Sequence, residues 1–323
     1  VTVENRWKRG ALMGNFRRFK SDLGWLVIRS LVGVVKRLDL ASVVLLGRSL
    51  GWLASYLLIL RKSVAFLNLD VALGESVSRR QKRRIFRRAV ANAAAMALET
   101  AARYLAPPEE LIKSVRICGL EHLSAAASAG RGVVLAGGHL GVFTLVAIRL
   151  SCEGYPTWVI LRFAHDPRVS RLYREALERI GANWISDRPN PRCVRECFAR
   201  LRSNDVLYVL IDQKPGRGRG CVVPFFGIPT EMFAGAVTLA LKTGAAVLPV
   251  TIHRRGLTRH VIEIGPPIEI VRTGDRQKDV AVNLARVVKT LESAITAYPE
   301  EWWVISRRWT RRQVAELTRK RLA

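Results

Sequence analysis

Four short runs constrain this chain most: GVVLA at residues 132–136, TWVIL at 157–161, DVLYVLI at 205–211 and AVLPVTIH at 246–253. Each is apolar at nearly every position rather than at every second one, the pattern of strands buried on both faces. Between and after them lie stretches of helical spacing and length at 121–129, 140–153, 167–180, 191–202, 235–243 and 280–298. Shorter strands at 115–118, 183–185 and 260–264 complete the alternation. Such a pattern specifies an α/β fold with a mixed, mostly parallel sheet flanked by helices. Ligands of these sheets bind beyond the carboxyl ends of the strands, so chemistry is expected in the residues that follow each run.

The 323-residue chain is 49% hydrophobic and 24% charged, which is the balance of a folded protein. Its 53 Lys and Arg exceed its 26 Asp and Glu by 27, so its surface should attract polyanions. Most of the aromatic residues lie inside apolar runs and no recognition motif is present, so an anionic lipid surface is expected as partner and nucleic acid is not. The five cysteines are an odd, scattered set that does not form a disulfide framework, which fits a reducing, cytoplasm-facing location. Cys193 and Cys197 are spaced to share a helical face, but no second pair at metal-ligand spacing follows, and no metal site is expected.

Residues 1–62 differ from the rest. An apolar stretch at 22–38 is followed by 21 residues, 40–60, interrupted only by Arg48. A helix of about 20 apolar residues can cross a bilayer, but Arg48 near its middle makes full insertion costly. No short apolar core is followed by a small-residue cleavage site, so a removed signal peptide is not expected. The sequence thus divides into a membrane-associating helical segment, 1–62, and an α/β domain, 63–323. Just past the boundary, RRQKRRIFRR at 79–88 carries seven basic residues in ten, a polybasic patch next to an apolar anchor.

Two segments hold candidate chemistry. In GVVLAGGHLGVFTL, a buried strand ends in Gly137-Gly138, and His139 follows where a helix is expected to start. Glycines permit tight backbone approach there, a helix N-terminus offers free N–H groups, and a histidine so held serves either as a general base or as a simple cap. In the second segment, a strand delivers Asp212-Gln213 to its end. A basic loop with Lys214, Arg217 and Arg219 follows, then Pro224-Phe225-Phe226-Gly227. The loop suits a phosphate, but the glycine orders of nucleotide-binding loops are absent.

These residues are where the chain resembles the bacterial lipid A biosynthesis (lauroyl/myristoyl) acyltransferases and their lysophospholipid-acyltransferase-like relatives. The resemblance runs over roughly residues 40–309. It rests on the strand leading to Gly138-His139-Leu140-Gly141, the Asp212-Gln213 pair, the Pro224-Phe225-Phe226-Gly227 loop, and Pro299-Glu300-Glu301-Trp302 running on to Arg307-Arg308-Trp309. It implies a glycerol-phosphate-acyltransferase-like fold at the cytoplasmic face of the inner membrane. It also implies transfer of an acyl chain from an acyl carrier protein or coenzyme A thioester to a hydroxyl of a lipid acceptor, with no further cofactor. His139 would then be the base, backbone donors near the glycine turn or the next helix would steady the oxyanion, and Arg162 would meet the acceptor's phosphate. Gly138, Gly141, Gln213, Lys214, Arg217, Arg219 and the Pro224–Gly227 loop would contact substrate.

One position departs from that pattern. The family places an Asp or Glu five residues after the histidine, where this chain has Thr144. A threonine can orient an imidazole but cannot neutralise its cation, and triads stripped of their acid lose on the order of 10⁴ in rate. Three explanations are open: Asp212 supplies the carboxylate, the acceptor is unusually nucleophilic, or the protein binds lipid or carrier without turnover.

Overall fold

A computed structural model describes residues 21–188, 190–215 and 220–322. Three helices come first: α1 through residues 21–35, α2 (Leu40–Leu57) and α3 (Ile59–Leu73). They are followed by the basic helix α4 (Arg79–Arg103), whose start is fixed by a capping box between Ser78 and Gln81. After α5 (Pro108–Ser114), strands and helices alternate: β1 (Val115–Cys118), α6 (Leu120–Ser128), β2 (Val133–Gly137), α7 (Leu145–Cys152), β3 (Thr157–Leu161), α8 (Pro167–Arg179), β4 (Asn183–Ser186), α9 (Asn190–Arg202) and β5 (Val206–Leu210). A hairpin, β6 (Gly220–Phe225) and β7 (Ile228–Phe233), precedes α10 (Gly235–Thr243). Then come β8 (Ala246–Arg254), β9 (His260–Ile264), α11 (Arg276–Ala297) and α12 (Arg311–Leu322).

The seven-stranded sheet has the order β1-β9-β8-β2-β5-β3-β4. All its pairings are parallel except β8 with β9, so the sheet is mixed and mostly parallel, as the apolar runs require. Side chains alternate across it. Val133, Leu135, Val206 and Tyr208 face one core with Leu123, Leu145 and Leu177 of α6, α7 and α8. Val134, Ala136, Leu207 and Val209 face the other, with Leu201, Val237, Val287 and Leu69 of α9, α10, α11 and α3. Each fully buried aliphatic side chain contributes roughly 1.5–3 kcal/mol relative to exposure, which is why these strands carry almost no polar residue.

The expected boundary at 62/63 falls inside α3, and α2 is fastened onto the α/β unit. A Cβ added at Gly47 would lie 2.6 Å from the Cα of Ala95, and one at Gly51 2.6 Å from the carbonyl oxygen of Val90. The backbones of α2 and α4 therefore touch along a seam of small residues. Among the described residues, α2 is the one helix long and apolar enough to cross a membrane. Its outer face leaves Leu45, Leu50, Trp52, Leu53, Tyr56 and Leu57 exposed, whereas Arg48 is half-buried. Arg87 of the basic helix lies over the Tyr56 ring at 4.8 Å, which brings the polybasic patch beside that apolar face.

Farther along α4, Glu99 has no exposed surface and ties this helix to β8 and β9. Its carboxylate accepts from Arg254 at 2.6 Å, from His260 at 2.7 Å and from Arg103 at 3.0 Å. Burial raises the Glu99 carboxyl, but His260, Arg254 and Arg103 outweigh it and hold it at about 2 against an ordinary 4.5. A depressed carboxyl contributes stability that is complete above its unfolded value and is lost as pH falls through its folded one. Glu99→Gln should therefore cost about 3 kcal/mol at neutral pH and remove part of the stability slope between pH 4.5 and 2, as read by denaturant unfolding across that range. An unchanged slope would contradict the ionised cluster.

Candidate active site

β2 delivers Gly137-Gly138-His139 to the carboxyl end of the sheet, and β5, its parallel neighbour, delivers Asp212 and Gln213 beside them. The Asp212 carboxylate accepts from the His139 backbone N–H at 3.0 Å, and its Oδ1 lies 2.6 Å from the ring nitrogen Nδ1. Its other oxygen, Oδ2, is 2.5 Å from Nη2 of Arg308. Burial by itself would push this carboxyl up, since the side chain has no exposed surface. His139 and Arg308 instead hold it well below the usual carboxylate range. On the far side of the ring, the Gln213 amide nitrogen is 3.0 Å from Nε2. An imidazole that donates from Nδ1 to a carboxylate carries its lone pair on Nε2, so the Gln213 amide donates to it.

Thr144 takes no part in this arrangement. Its hydroxyl lies 2.7 Å from that of Thr100 on α4. The expected helix at 140–153 begins only at Leu145, and residues 139–144 form an irregular turn. Two constraints prevent an earlier start. Gly141 adopts φ +57°, outside the helical region, and the turn is laid against the segment before α12: Leu140 bridges Trp302, the Gly141 N–H donates to Glu301, and the Trp303 N–H donates to His139. Position 144 is thus not one helical turn beyond His139. Three of the backbone donors at this turn are engaged too, with the His139 N–H on Asp212, Leu140 on Gly138 and Gly141 on Glu301.

His139 and Gln213 line a cavity of about 820 Å³. The sheet itself makes room for it. β3 pairs with β5 only as far as Val159 and Tyr208, whereas β3 stays on β4 to Leu161 and β5 stays on β2 to Leu210. The two strands part at their carboxyl ends, and Ile160, Leu161, Val209 and Leu210 line the opening. Tyr104, Ala147 and Tyr173 continue the wall on one face of the sheet, and Cys193, Cys197 and Leu239 on the other. The walls are mostly aliphatic, aromatic and thiol groups, with Thr144, Asn190 and Thr238 as uncharged polar members and charge confined to Arg162, Asp187, Lys214 and Lys242. Arg162 is largely exposed and bonded to Asp187 at 2.6 Å. Among the described residues no group of His, Cys, Asp and Glu is arranged to hold a metal ion.

The remaining candidates fall elsewhere. Arg217 and Arg219 lie outside the described residues. Pro224, Phe225, Phe226 and Gly227 form the turn of the β6–β7 hairpin and do not line the cavity. Phe225, expected at the substrate, is instead fully buried and stacked on Trp309 at 5.1 Å, and the Phe226 N–H donates to Glu292 at 2.5 Å. The role of Phe225 is packing, because an aromatic ring with no exposed surface touches only its neighbours. Gly138 and Gly141 act through space: a Cβ at Gly138 would lie 2.6 Å from the tip of Leu291, and one at Gly141 2.2 Å from the carbonyl oxygen of Ile252. Arg308 belongs to a motif visible in the sequence, yet nothing there separates it from the exposed Arg307.

A family model described as bacterial lipid A biosynthesis acyltransferase matches residues 15–311. The chain belongs to that family. It is 31% identical over 212 residues to a phosphatidylinositol mannoside acyltransferase of Mycobacterium tuberculosis, covering 64% of this chain and 62% of that protein. It is 23% identical over 282 residues to the lipid A biosynthesis palmitoleoyltransferase of Escherichia coli, covering 84% and 86%. With the lauroyltransferase of the same organism it shares 23% over 295 residues, covering 89% of each.

The glycine turn yields a direct test. Gly141→Ala should destabilise the fold by about 2 kcal/mol or more, because a left-handed alanine is strained and its Cβ meets a fixed carbonyl. Gly138→Ala should cost less, since the tip of Leu291 can rotate away. Urea unfolding measures both, and equal stability of Gly141→Ala and wild type would contradict the close approach.

Proposed function

We propose that this protein is an O-acyltransferase that moves a fatty acyl chain from a thioester of acyl carrier protein or coenzyme A to a hydroxyl of a glycolipid at the cytoplasmic face of a membrane. The observation that carries the reading is the pair of His139 and the buried Asp212 at 2.6 Å, opening on a mostly apolar cavity of about 820 Å³. Family membership and the names of the three relatives support acyl transfer to a lipid. The exposed apolar face of α2 beside the basic start of α4 supports work at an anionic membrane surface.

The chemistry follows from the ring. Asp212 accepts from Nδ1 and fixes the tautomer, which leaves Nε2 as the base. The acceptor hydroxyl displaces the Gln213 amide from Nε2 and gives up its proton there as its oxygen bonds to the thioester carbonyl carbon. The resulting imidazolium is stabilised by the Asp212 carboxylate. As the tetrahedral intermediate collapses, the carbon–sulfur bond breaks, and the departing thiolate takes the proton from Nε2. The Gln213 amide, 3.0 Å from Nε2 before the acceptor enters, is a side-chain donor at hand for the oxyanion. The acyl chain fits between the parted strands β3 and β5, and Arg162, Lys214 and Lys242 are cations available to phosphate groups of donor or acceptor. With a carboxylate already on Nδ1, threonine at position 144 is no reason to read the chain as inactive.

The test is an assay of the purified protein in anionic vesicles with acyl-carrier-protein and acyl-coenzyme A donors and glycolipid acceptors, read by lipid mass spectrometry. His139→Ala should abolish transfer, Asp212→Asn should lower kcat on the order of 10⁴-fold, and Thr144→Ala should change it less than about 3-fold. Full activity in His139→Ala would overturn the mechanism, and a larger loss from Thr144→Ala than from Asp212→Asn would reassign the partner of the histidine.

A further inference from the structure

Asp212 has two oxygens, and only one serves His139. The other is held by Arg308, whose side chain is 2% exposed and whose contacts leave it one orientation. Nη2 meets Oδ2 at 2.5 Å, and Nη1 donates to the carbonyls of Trp303 at 2.9 Å and Ser306 at 3.1 Å. The guanidinium plane also lies over the Trp302 ring, 4.3 Å from its centre. The loop that carries these carbonyls is itself pinned: the buried Asn68 of α3 donates to Val304 at 2.7 Å and to Ser306 at 2.8 Å.

A permanent cation beside the carboxylate is at first sight the wrong choice for a base. It draws on the same negative charge that steadies the imidazolium. Two gains offset this. With no exposed surface, a carboxylate facing a neutral imidazole alone would tend to take up a proton and lose its charge. A guanidinium fork that sets Nη2 on Oδ2 and Nη1 on two carbonyls also stops the carboxylate from rotating, so Oδ1 stays in line with Nδ1. The surroundings leave this task to Arg308. Tyr208 of β5 is pushed up by burial and by Asp212, so it stays a neutral phenol, and α11 presents the apolar Leu291 to the glycine turn. Gln213 is uncharged and occupies Nε2. Glu301, on the far side of the turn, has a carboxyl pushed up by burial and is bonded by Asn92.

We infer that Arg308 is a positioning residue of this site: its guanidinium keeps Asp212 ionised and presents Oδ1 to Nδ1 of His139. The Pro224–Gly227 turn then has its reason as well. Phe225 packs on Trp302 and Trp309, the tryptophans on either side of the segment that aims Arg308, so this turn buttresses the site from outside the cavity. The inference rests on the proposed role of His139 as base.

The experiment compares kcat, KM and the pH–rate profile for Arg308→Gln, Arg308→Lys, Asp212→Asn and the double variant Asp212→Asn/Arg308→Gln, in full-length protein in the vesicle assay. Arg308→Gln should lower kcat about 10- to 100-fold, by analogy with outer partners of other functional histidines, and leave KM nearly unchanged. Its acid limb should move to higher pH, because removing the cation raises both steps of the coupled titration. Arg308→Lys should restore the limb and part of kcat. The double variant should match Asp212→Asn, since Arg308 acts through the carboxylate. A loss in Arg308→Gln with an unmoved limb, or one that multiplies with that of Asp212→Asn, would make Arg308 merely structural and overturn the inference. If Arg308→Gln does not fold, wild-type kcat in Arg308→Lys would overturn it equally, because a point charge lacks the fork. Wild-type turnover in both His139→Ala and Asp212→Asn would instead defeat the general-base reading. A loss in those two with wild-type behaviour in Arg308→Gln would defeat only the positioning role.

Discussion

A carboxylate with no exposed surface survives in a protein only where other groups replace its water, and around Asp212 three groups do so. The His139 backbone and ring engage one oxygen, and the Arg308 guanidinium engages the other. These contacts join the end of β2, the end of β5 and the segment before α12 at a single point. The rest of the architecture can be read as support for that junction. Two glycines let β2 turn without a side chain in the way, Glu301 and Trp303 hold the turn by backbone hydrogen bonds, and the aromatic cluster of Phe225, Trp302 and Trp309 fixes the segment that carries the arginine. Breaking one partner of such a set leaves a buried charge uncompensated, which is costlier than losing an exposed ion pair.

The second constraint is the parting of β3 from β5. A parallel sheet normally closes its middle with continuous hydrogen bonds, but here the last residues of both strands turn their edges toward a cavity. That places a mostly apolar cavity next to His139 at the carboxyl end of the sheet. The outer face of α2 and the basic start of α4 add an apolar and cationic surface on the helical side. A histidine–aspartate pair, a mostly apolar cavity and an exposed apolar and cationic surface are the three features that the proposed transfer to a lipid needs.

Much of this was legible in the sequence. The four apolar runs gave the sheet because fully buried strands cannot afford polar positions, and the helices between them followed from length and spacing. His139 and Asp212-Gln213 stood at strand ends, where function concentrates, and Asp212 was among the explanations for the missing acid. Other features depended on tertiary contacts. The turn at 139–144 keeps a helical-looking sequence, but Gly141 and the strand-like pairing of Leu140 with Trp302 override it. The β6–β7 hairpin was hidden because its alternation is short and contains two prolines. Phe225 read as a substrate contact because its motif carries no sign of which way the ring points. Arg308 could not be told from Arg307, since burial and not residue type separates them.

In the proposed mechanism Asp212, and no group near Thr144, holds the Nδ1 proton of His139. Proton NMR of the imidazole N–H, with the ring labelled in ¹⁵N, tests it most directly. A downfield Nδ1–H resonance should persist in Thr144→Ala and be lost in Asp212→Asn. A resonance that survives in Asp212→Asn, or disappears in Thr144→Ala, would contradict it.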